Sequence, residues 1–161
     1  MRIVVACDHR GFPYKGAVVR SLAGDGHNVI DLGTHSTDAV DYPDYARLVG
    51  FAVRERQADL GVLVCGSGAG VSIAANKIRG VRAVLAHDPF TARQSREDDD
   101  ANVICLGARV VDVDQAVVLV REFVAARFSG AERHVRRLGK VLALEASELA
   151  SERRAADKGA A

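Results

Sequence analysis

The sequence predicts an α/β protein with an open parallel five-stranded sheet and helices on both faces. Five short runs rich in valine, isoleucine and leucine alternate with longer segments whose apolar residues recur at helical spacing. The third run, Leu60 to Val64, is apolar apart from Gly61, which is typical of a strand buried on both faces. Such an alternation produces parallel strands joined by right-handed crossovers.

The first half of the chain contains two strand–helix pairs. Arg2 to Ala6 is a β-branched run that predicts the first strand, and Pro13 opens a helix that closes before Gly24. A second strand is expected over residues 29–32, and Pro43 begins a helix that runs to about Arg54. The polar segment between them is longer than a simple turn requires, and such loops often line sites.

The same alternation continues after the third strand and completes a Rossmann-like arrangement. Asp88 precedes Pro89 as an expected N-cap, and Ser129 with Glu132 has the form of a capping box for the last helix. The predicted elements are a helix over 71–78, a strand over 81–86, helices over 88–98 and 114–128, and a strand over 103–106. Residues 1–150 are expected to form a single domain. Residues 151–161 have no apolar stripe and are expected to be a disordered tail.

Composition excludes several classes of function. A formal net charge of +1 and 5% aromatic residues disfavour nucleic acid as a partner, and no apolar run is long enough for a membrane span or signal peptide. The three cysteines, Cys7, Cys65 and Cys105, are an odd number without a close pair, which predicts free thiols and argues against a zinc site. We therefore expect a cytoplasmic protein of one compact domain.

The segment Cys65–Gly70 is the strongest local signal for chemistry. Gly66, Gly68 and Gly70 alternate with small residues, so that several N–H groups can point into one concavity that suits an anion. Cys65, just before a helix, lies where a thiolate is stabilised. A plain tight turn is the alternative for the glycines. A nucleotide site is another, because Asp88 lies where a ribose-binding acid can stand.

Open parallel sheets bind ligands beyond the carboxyl ends of their strands. This rule brings Asp8 and His9 together with the glycine turn, and it predicts that Asp98 and Asp99 lie near the same edge. Asp8 and His9 can recognise hydroxyl groups or merely close the first strand. The acidic run can supply a general acid through like-charge crowding, or it can simply pair with Arg93 and Arg96.

The last helix begins with cations that its dipole disfavours. Arg133 and Arg137 lie four residues apart on one face, and with His134 and Arg109 they can bind a phosphate group. A solvated basic face paired with Glu132 is the alternative.

Taken together, the motifs resemble those of the type B ribose-5-phosphate isomerases, in the family that also holds the galactose-6-phosphate isomerase subunits. The resemblance covers about residues 1–145. It is carried by Cys7–Phe12, Asp41–Asp44, Cys65–Gly70, Ile73–Lys77, Asn102–Val103, Gly107–Arg109 and Arg133–His134.

The resemblance implies interconversion of ribose 5-phosphate and ribulose 5-phosphate through a cis-enediolate, without metal or other cofactor. Cys65 matches the catalytic base, and Ser67 with the amides of the turn stabilises the enediolate oxygen. It further implies a homodimer or homotetramer with shared active sites. The residues that match substrate contacts are Asp8, His9, Tyr42, Gly66, Gly68, Gly70, Arg109, Arg133, His134 and Arg137. Asp99 is added to the expected substrate-binding residues because of its place in the acidic run.

One position departs from the family pattern. Asp98 stands where the ribose phosphate enzymes usually have a histidine that opens the furanose ring. Three hypotheses follow. Asp98 replaces the histidine, or the substrate is another sugar phosphate, either a tetrose 4-phosphate, which needs no ring opening, or a hexose 6-phosphate. In the third hypothesis the chain binds a sugar phosphate or a nucleotide without catalysis.

Overall fold

The computed structural model describes residues 1–159, with side chains for residues 1–147. The chain divides into one unit over Met1–Phe128 and a second that begins at Ser129. The expected boundary of a single domain at residue 150 and the disordered tail over residues 151–161 stay predictions, and the tail lies outside the described side chains. Among the described residues, no helix is both long and apolar enough to cross a bilayer.

A parallel five-stranded sheet forms the centre of the first unit, as predicted. Its strands are β1 (Arg2–Cys7), β2 (Asn28–Asp31), β3 (Leu60–Cys65), β4 (Ala83–Leu85) and β5 (Val103–Gly107). They lie in the order β2-β1-β3-β5-β4, with every neighbouring pair parallel. All six residues of β3 are buried, because helices cover both faces of this central strand.

The helices cover the sheet in two layers, which confirms the predicted fold class. The helices of this unit are α1 (Phe12–Gly24), α2 (Tyr42–Arg54), α3 (Ala69–Ala75), α4 (Pro89–Asp99) and α5 (Val113–Ala125). Core residues of α1, α4 and α5 pack against one face, and those of α2 and α3 pack against the other.

Local capping explains where several elements end. The Asp88 carboxylate accepts a hydrogen bond from the Thr91 N–H at 2.8 Å, so the predicted N-cap of α4 is confirmed. Helix α3 is shorter than predicted because the Asn76 amide donates to the carbonyl oxygens of Ser72 and Ala83, at 3.0 and 2.8 Å. These bonds turn the chain out of the helix and towards β4.

The second unit contains helix α6 (Glu132–Gly159). The capping box predicted for this helix is wrong, because the helix begins at Glu132 and the N–H of Val135 donates to the Ala131 carbonyl. The Ser129 hydroxyl instead lies 2.7 Å from His134 Nδ1 and accepts from the Ala131 N–H at 3.3 Å. The hydroxyl therefore orients a histidine ring rather than closing a helix end.

Candidate active site

The strand order reverses between β1 and β3, and this is where the candidate site lies. The chain leaves β1 to form β2 on one side, and it later returns to place β3 on the other. Cys7 pairs with Val64, and the Asp8 N–H donates to the Val64 carbonyl at 3.1 Å. Ligands of open parallel sheets bind at such a reversal, beyond the carboxyl ends of the strands.

The glycine turn places the Cys65 thiol at this edge. Cys65 closes β3, and the Gly68 N–H donates to its Sγ at 3.0 Å. Gly68 has a φ of +79°, in the left-handed region that favours glycine, and it is the N-cap of α3. The turn therefore fixes one backbone donor at the sulfur that ends β3.

A side chain on Gly70 of the turn, or on Gly107 at the end of β5, would collide with neighbouring atoms. A Cβ at Gly70 would lie 2.8 Å from the Tyr42 ring, and one at Gly107 would lie 2.6 Å from the Ser67 carbonyl. Real Cβ atoms essentially never make such contacts. Close approach of β5 and of Tyr42 therefore requires glycine at these positions.

Asp8 and His9 follow β1 and face the same edge. Asp8 Oδ1 accepts from the N–H groups of Arg10 and Gly11, at 2.8 and 2.9 Å, which fixes the carboxylate at the start of α1. His9 Nδ1 accepts from the Val40 N–H at 3.3 Å. This bond assigns the proton of the neutral ring to Nε2 and makes that nitrogen a donor.

A pocket of about 290 Å³ joins these groups. It contains one carboxylate, one imidazole, one thiol and two guanidinium groups, so it combines proton acceptors and donors with positive charge. Its lining residues are Asp8, His9, Arg10, Tyr42, Cys65, Gly66, Ser67, Gly70 and Arg109. Eight of them are among the residues predicted from the sequence.

Arg10 is the lining residue that the sequence argument missed. Its Cγ would lie 3.6 Å from a Cβ at Gly66, and Cδ of Arg109 would lie 3.9 Å from the same point. The two arginines therefore flank one glycine from different loops. The available signal was its position beside Asp8 and His9, directly after a strand.

The structure does not bring Asp98 and Asp99 to this pocket of the same chain. They end α4, which leads into the amino end of β5, whereas the pocket lies at the carboxyl end of the strands. Strand β5 alone separates the two edges by about 13 Å. The expectation of a shared edge was wrong, because residues that precede a strand lie at its amino end. Asp98 Oδ2 accepts from the Gln94 amide at 2.8 Å.

The predicted ion pairs of α4 are confirmed. Arg93 contacts Glu97 at 3.8 Å, and Arg96 contacts Asp100 at 3.2 Å. The guanidinium of Arg96 also donates to the Ala101 carbonyl at 2.7 Å. Glu97 and Asp100 of the acidic run therefore have a structural role, because they form ion pairs within and at the end of α4.

Three predicted phosphate ligands lie in the second unit. Arg133 Nε donates to His134 Nε2 at 2.9 Å, and the Nδ1 of this ring faces the Ser129 hydroxyl. With Nε2 as the acceptor, Nδ1 carries the proton of the neutral ring. Arg137 is exposed one turn after Arg133, and both arginines lie in the first two turns of α6.

The three cysteines are free thiols, as predicted, and their surroundings differ. Burial raises the pKa of Cys105, and burial also raises the pKa of Cys7 to about 11, although the charge of Lys15 opposes this shift. Both remain protonated at neutral pH and contribute apolar volume to the core. Cys65 is the cysteine that lines the pocket.

The Cys7 thiol predicts a loss of stability at high pH. Its pKa is raised from 9.0 in the unfolded chain to about 11 in the folded one, so its contribution is complete below pH 9 and is lost as the pH rises towards 11. Two pH units correspond to about 2.7 kcal/mol. Urea unfolding measures the free energy of unfolding at pH 8 and at pH 11. Between these pH values the wild type should lose about 2 to 3 kcal/mol more of this free energy than Cys7→Ala loses. Equal losses would contradict this prediction.

Within the part of the chain that the structure describes, no group of three or more histidine, cysteine, aspartate or glutamate side chains is placed to hold a metal ion.

Comparison with known proteins identifies the family. The family model described as Ribose/Galactose Isomerase matches residues 3–141. Ribose-5-phosphate isomerase B of Escherichia coli is 42% identical over 144 residues, which cover 89% of this chain and 96% of that protein.

Solved structures agree with this match. Ribose-5-phosphate isomerase B of Clostridium thermocellum superposes with a TM-score of 0.89 and 42% identity, over 92% of this chain and 99% of the other. The Mycoplasma genitalium enzyme, solved with bound ribulose-5-phosphate, has a TM-score of 0.85 and 42% identity, over 89% and 95%. This chain therefore belongs to the Ribose/Galactose Isomerase family, a family of isomerases.

Proposed function

We propose that the protein interconverts ribose 5-phosphate and ribulose 5-phosphate in the cytoplasm, with Cys65 as the base. The observation that carries the proposal is the Cys65 thiol, which accepts an N–H at 3.0 Å in a pocket that also holds a carboxylate, an imidazole and two arginines. The relatives described above are named ribose-5-phosphate isomerase B, and one of them was solved with bound ribulose-5-phosphate. The chain matches them over most of its length.

The reaction moves one proton between two carbons. The Cys65 thiolate removes the proton from C2 of the open-chain aldose, and the electron pair moves into a C1–C2 double bond as the C1 oxygen becomes an enediolate. The thiol then returns the proton to C1, and the O2 proton moves to O1, so that O2 becomes the ketone oxygen and O1 becomes a hydroxyl group. The redox change is internal to the sugar.

The backbone N–H groups of the glycine turn serve two acceptors in this proposal, the Cys65 sulfur and the enediolate oxygen. The Gly68 N–H faces the thiol, and the Ala69 N–H lies 3.4 Å from Ser67 Oγ. The N–H of Gly70, in the first turn of α3, has no acceptor within the helix. We assign the Gly70 amide and the Ser67 hydroxyl to the enediolate oxygen, where one such donor contributes about 3 kcal/mol.

Asp8 and His9 are placed to hold the sugar hydroxyls. Asp8 Oδ1 is already bonded to two backbone N–H groups, which leaves Oδ2 to accept from the substrate. His9 Nε2–H donates to a second hydroxyl, because Nδ1 is engaged by Val40. Tyr42 closes the pocket over Gly70.

The phosphate group is assigned to Arg109, Arg133, His134 and Arg137, in a homodimer or homotetramer with shared sites. Since Asp98 and Asp99 lie at the amino edge of their own sheet, they can reach a substrate only in the pocket of a second copy of the chain. Ring opening by Asp98 therefore depends on this assembly.

A turnover panel tests the substrate and the role of Asp98 together. The wild type, Asp98→Asn and Asp98→His are assayed with ribose 5-phosphate, erythrose 4-phosphate and hexose 6-phosphates. A preference for ribose 5-phosphate that falls in Asp98→Asn and is retained or raised in Asp98→His supports a ring-opening role, because imidazole can take over acid–base work.

The other outcomes separate the alternatives. A tetrose 4-phosphate cannot form a furanose and needs no ring opening. If the wild type turns over erythrose 4-phosphate faster than ribose 5-phosphate, the tetrose phosphate is the substrate. Unchanged pentose turnover in Asp98→Asn would remove Asp98 from the mechanism. Binding of sugar phosphates without turnover of any would replace the enzyme by a binding module.

A further inference from the structure

A basic groove lies between α2 and the end of α3, apart from the candidate active site. Its cavity has a volume of about 450 Å³. Four of its lining side chains are cations, four are apolar, and none is acidic. The lining residues are Pro43, Arg47, Phe51, Arg54, Ala74, Lys77, Ile78 and Arg79.

The cations of this groove are mostly without counter-charges. Arg54 pairs with Glu55 at 2.8 Å, whereas the ion pairs among the described residues include none of Arg47, Lys77 or Arg79. Helix dipoles account for cations at the carboxyl ends of α2 and α3. They do not account for Arg47, which lies in the middle of α2.

The guanidinium groups are held over an aromatic ring. Arg54 lies 4.3 Å and Arg47 lies 5.8 Å from the centroid of the half-buried Phe51 ring. Stacking of this kind limits the rotamers of the two arginines, so less conformational entropy is lost when they bind a ligand. The stripe from Pro43 to Arg54 is about 16 Å long, at 1.5 Å per residue.

We propose that this groove binds a small polyphosphorylated anion, of the chemical class of inorganic triphosphate and the nucleoside triphosphates. Three cations without counter-charges among the described residues match three or four negative charges held close together. The cavity is too small for a long nucleic acid, and a net charge of +1 with few aromatic residues disfavours such a partner. This site is independent of the isomerase pocket.

Isothermal titration calorimetry with inorganic triphosphate tests the proposal. The titration is made with saturating ribose 5-phosphate, which occupies the isomerase pocket, and is repeated with adenosine triphosphate as the second probe. We expect one site per chain, with an affinity that falls as salt is raised. Tighter binding of adenosine triphosphate than of inorganic triphosphate would indicate that the adenosine group makes an added contact with the Phe51 ring.

A matched pair of variants locates the site. Arg47→Gln/Lys77→Gln should weaken triphosphate binding by about tenfold or more, because charge-assisted hydrogen bonds are lost. Arg20→Gln removes an exposed helical arginine of α1, on the other face of the sheet, and should leave binding unchanged.

Several results would overturn the proposal. They are no binding of either probe, binding abolished by ribose 5-phosphate, and equal binding by the double variant. A double variant that changes the oligomeric state, measured by analytical ultracentrifugation, would assign the groove to a contact between copies. Affinity for an RNA oligomer that rises with its length would assign it to nucleic acid.

Discussion

Replacing Cys65 by alanine is expected to lower kcat for ribose 5-phosphate isomerisation by about 10³-fold, with little change in KM. A positioned general base accelerates a reaction by about 10² to 10⁴. The Gly68 N–H positions the Cys65 sulfur by a hydrogen bond, so we assign this factor to Cys65. The groups proposed to bind the sugar remain in place, so affinity should change far less than turnover.

Exchange of the C2 proton gives the more direct measurement. In D₂O the wild type should introduce deuterium at C1 of ribulose 5-phosphate, and Cys65→Ala should lose this exchange together with turnover. Cys7→Ala and Cys105→Ala are the matched controls, because both remove a buried thiol that does not line the pocket. Exchange by Cys65→Ala at the wild-type rate would assign the base to another group.

The sequence was sufficient to predict the sheet and most of the pocket, because both depend on local patterns. Alternating apolar runs determine parallel strands, and the rule of carboxyl ends brings residues that directly follow β1 and β3 to one edge. The register of Cys7 with Val64 then places Asp8 and Cys65 side by side. Tyr42 enters the same pocket because its ring packs where Gly70 has no side chain.

The remaining features depend on three-dimensional packing. Asp98 is separated from Cys65 because it precedes β5, which runs parallel to β3, and therefore lies at the amino edge of the sheet. The hydrogen bond from Gly68 to the thiol requires a left-handed φ at one glycine among three in the turn. The roles of Gly66, Gly68 and Gly70 could not be distinguished by spacing.

Gly68 should therefore be the most sensitive glycine of the turn. In Gly68→Ala the new Cβ would overlap Leu85 Cδ1 and lie 2.9 Å from the backbone carbonyl carbon of Leu106. The leucine side chain can move, but the backbone of β5 cannot do so without breaking its pairing with β3. Left-handed strain adds about 1 kcal/mol, and overpacking adds about 1 to 3 kcal/mol.

We expect Gly68→Ala to lower the free energy of unfolding by about 3 kcal/mol. We also expect it to lower kcat by at least about tenfold, because a shift of this amide weakens its hydrogen bond to the sulfur of the proposed base. Gly26→Ala is the matched control, since Gly26 has a φ of +81° and no atom within 4 Å of its Cβ position. Gly26→Ala introduces the left-handed backbone strain without a steric collision, so it should lower the free energy of unfolding by about 1 kcal/mol and leave kcat unchanged. Urea denaturation and steady-state kinetics on the two variants measure both quantities. Equal destabilisation by the two substitutions would show that β5 yields to the added methyl group, and unchanged kcat in Gly68→Ala would show that the thiol does not need this amide.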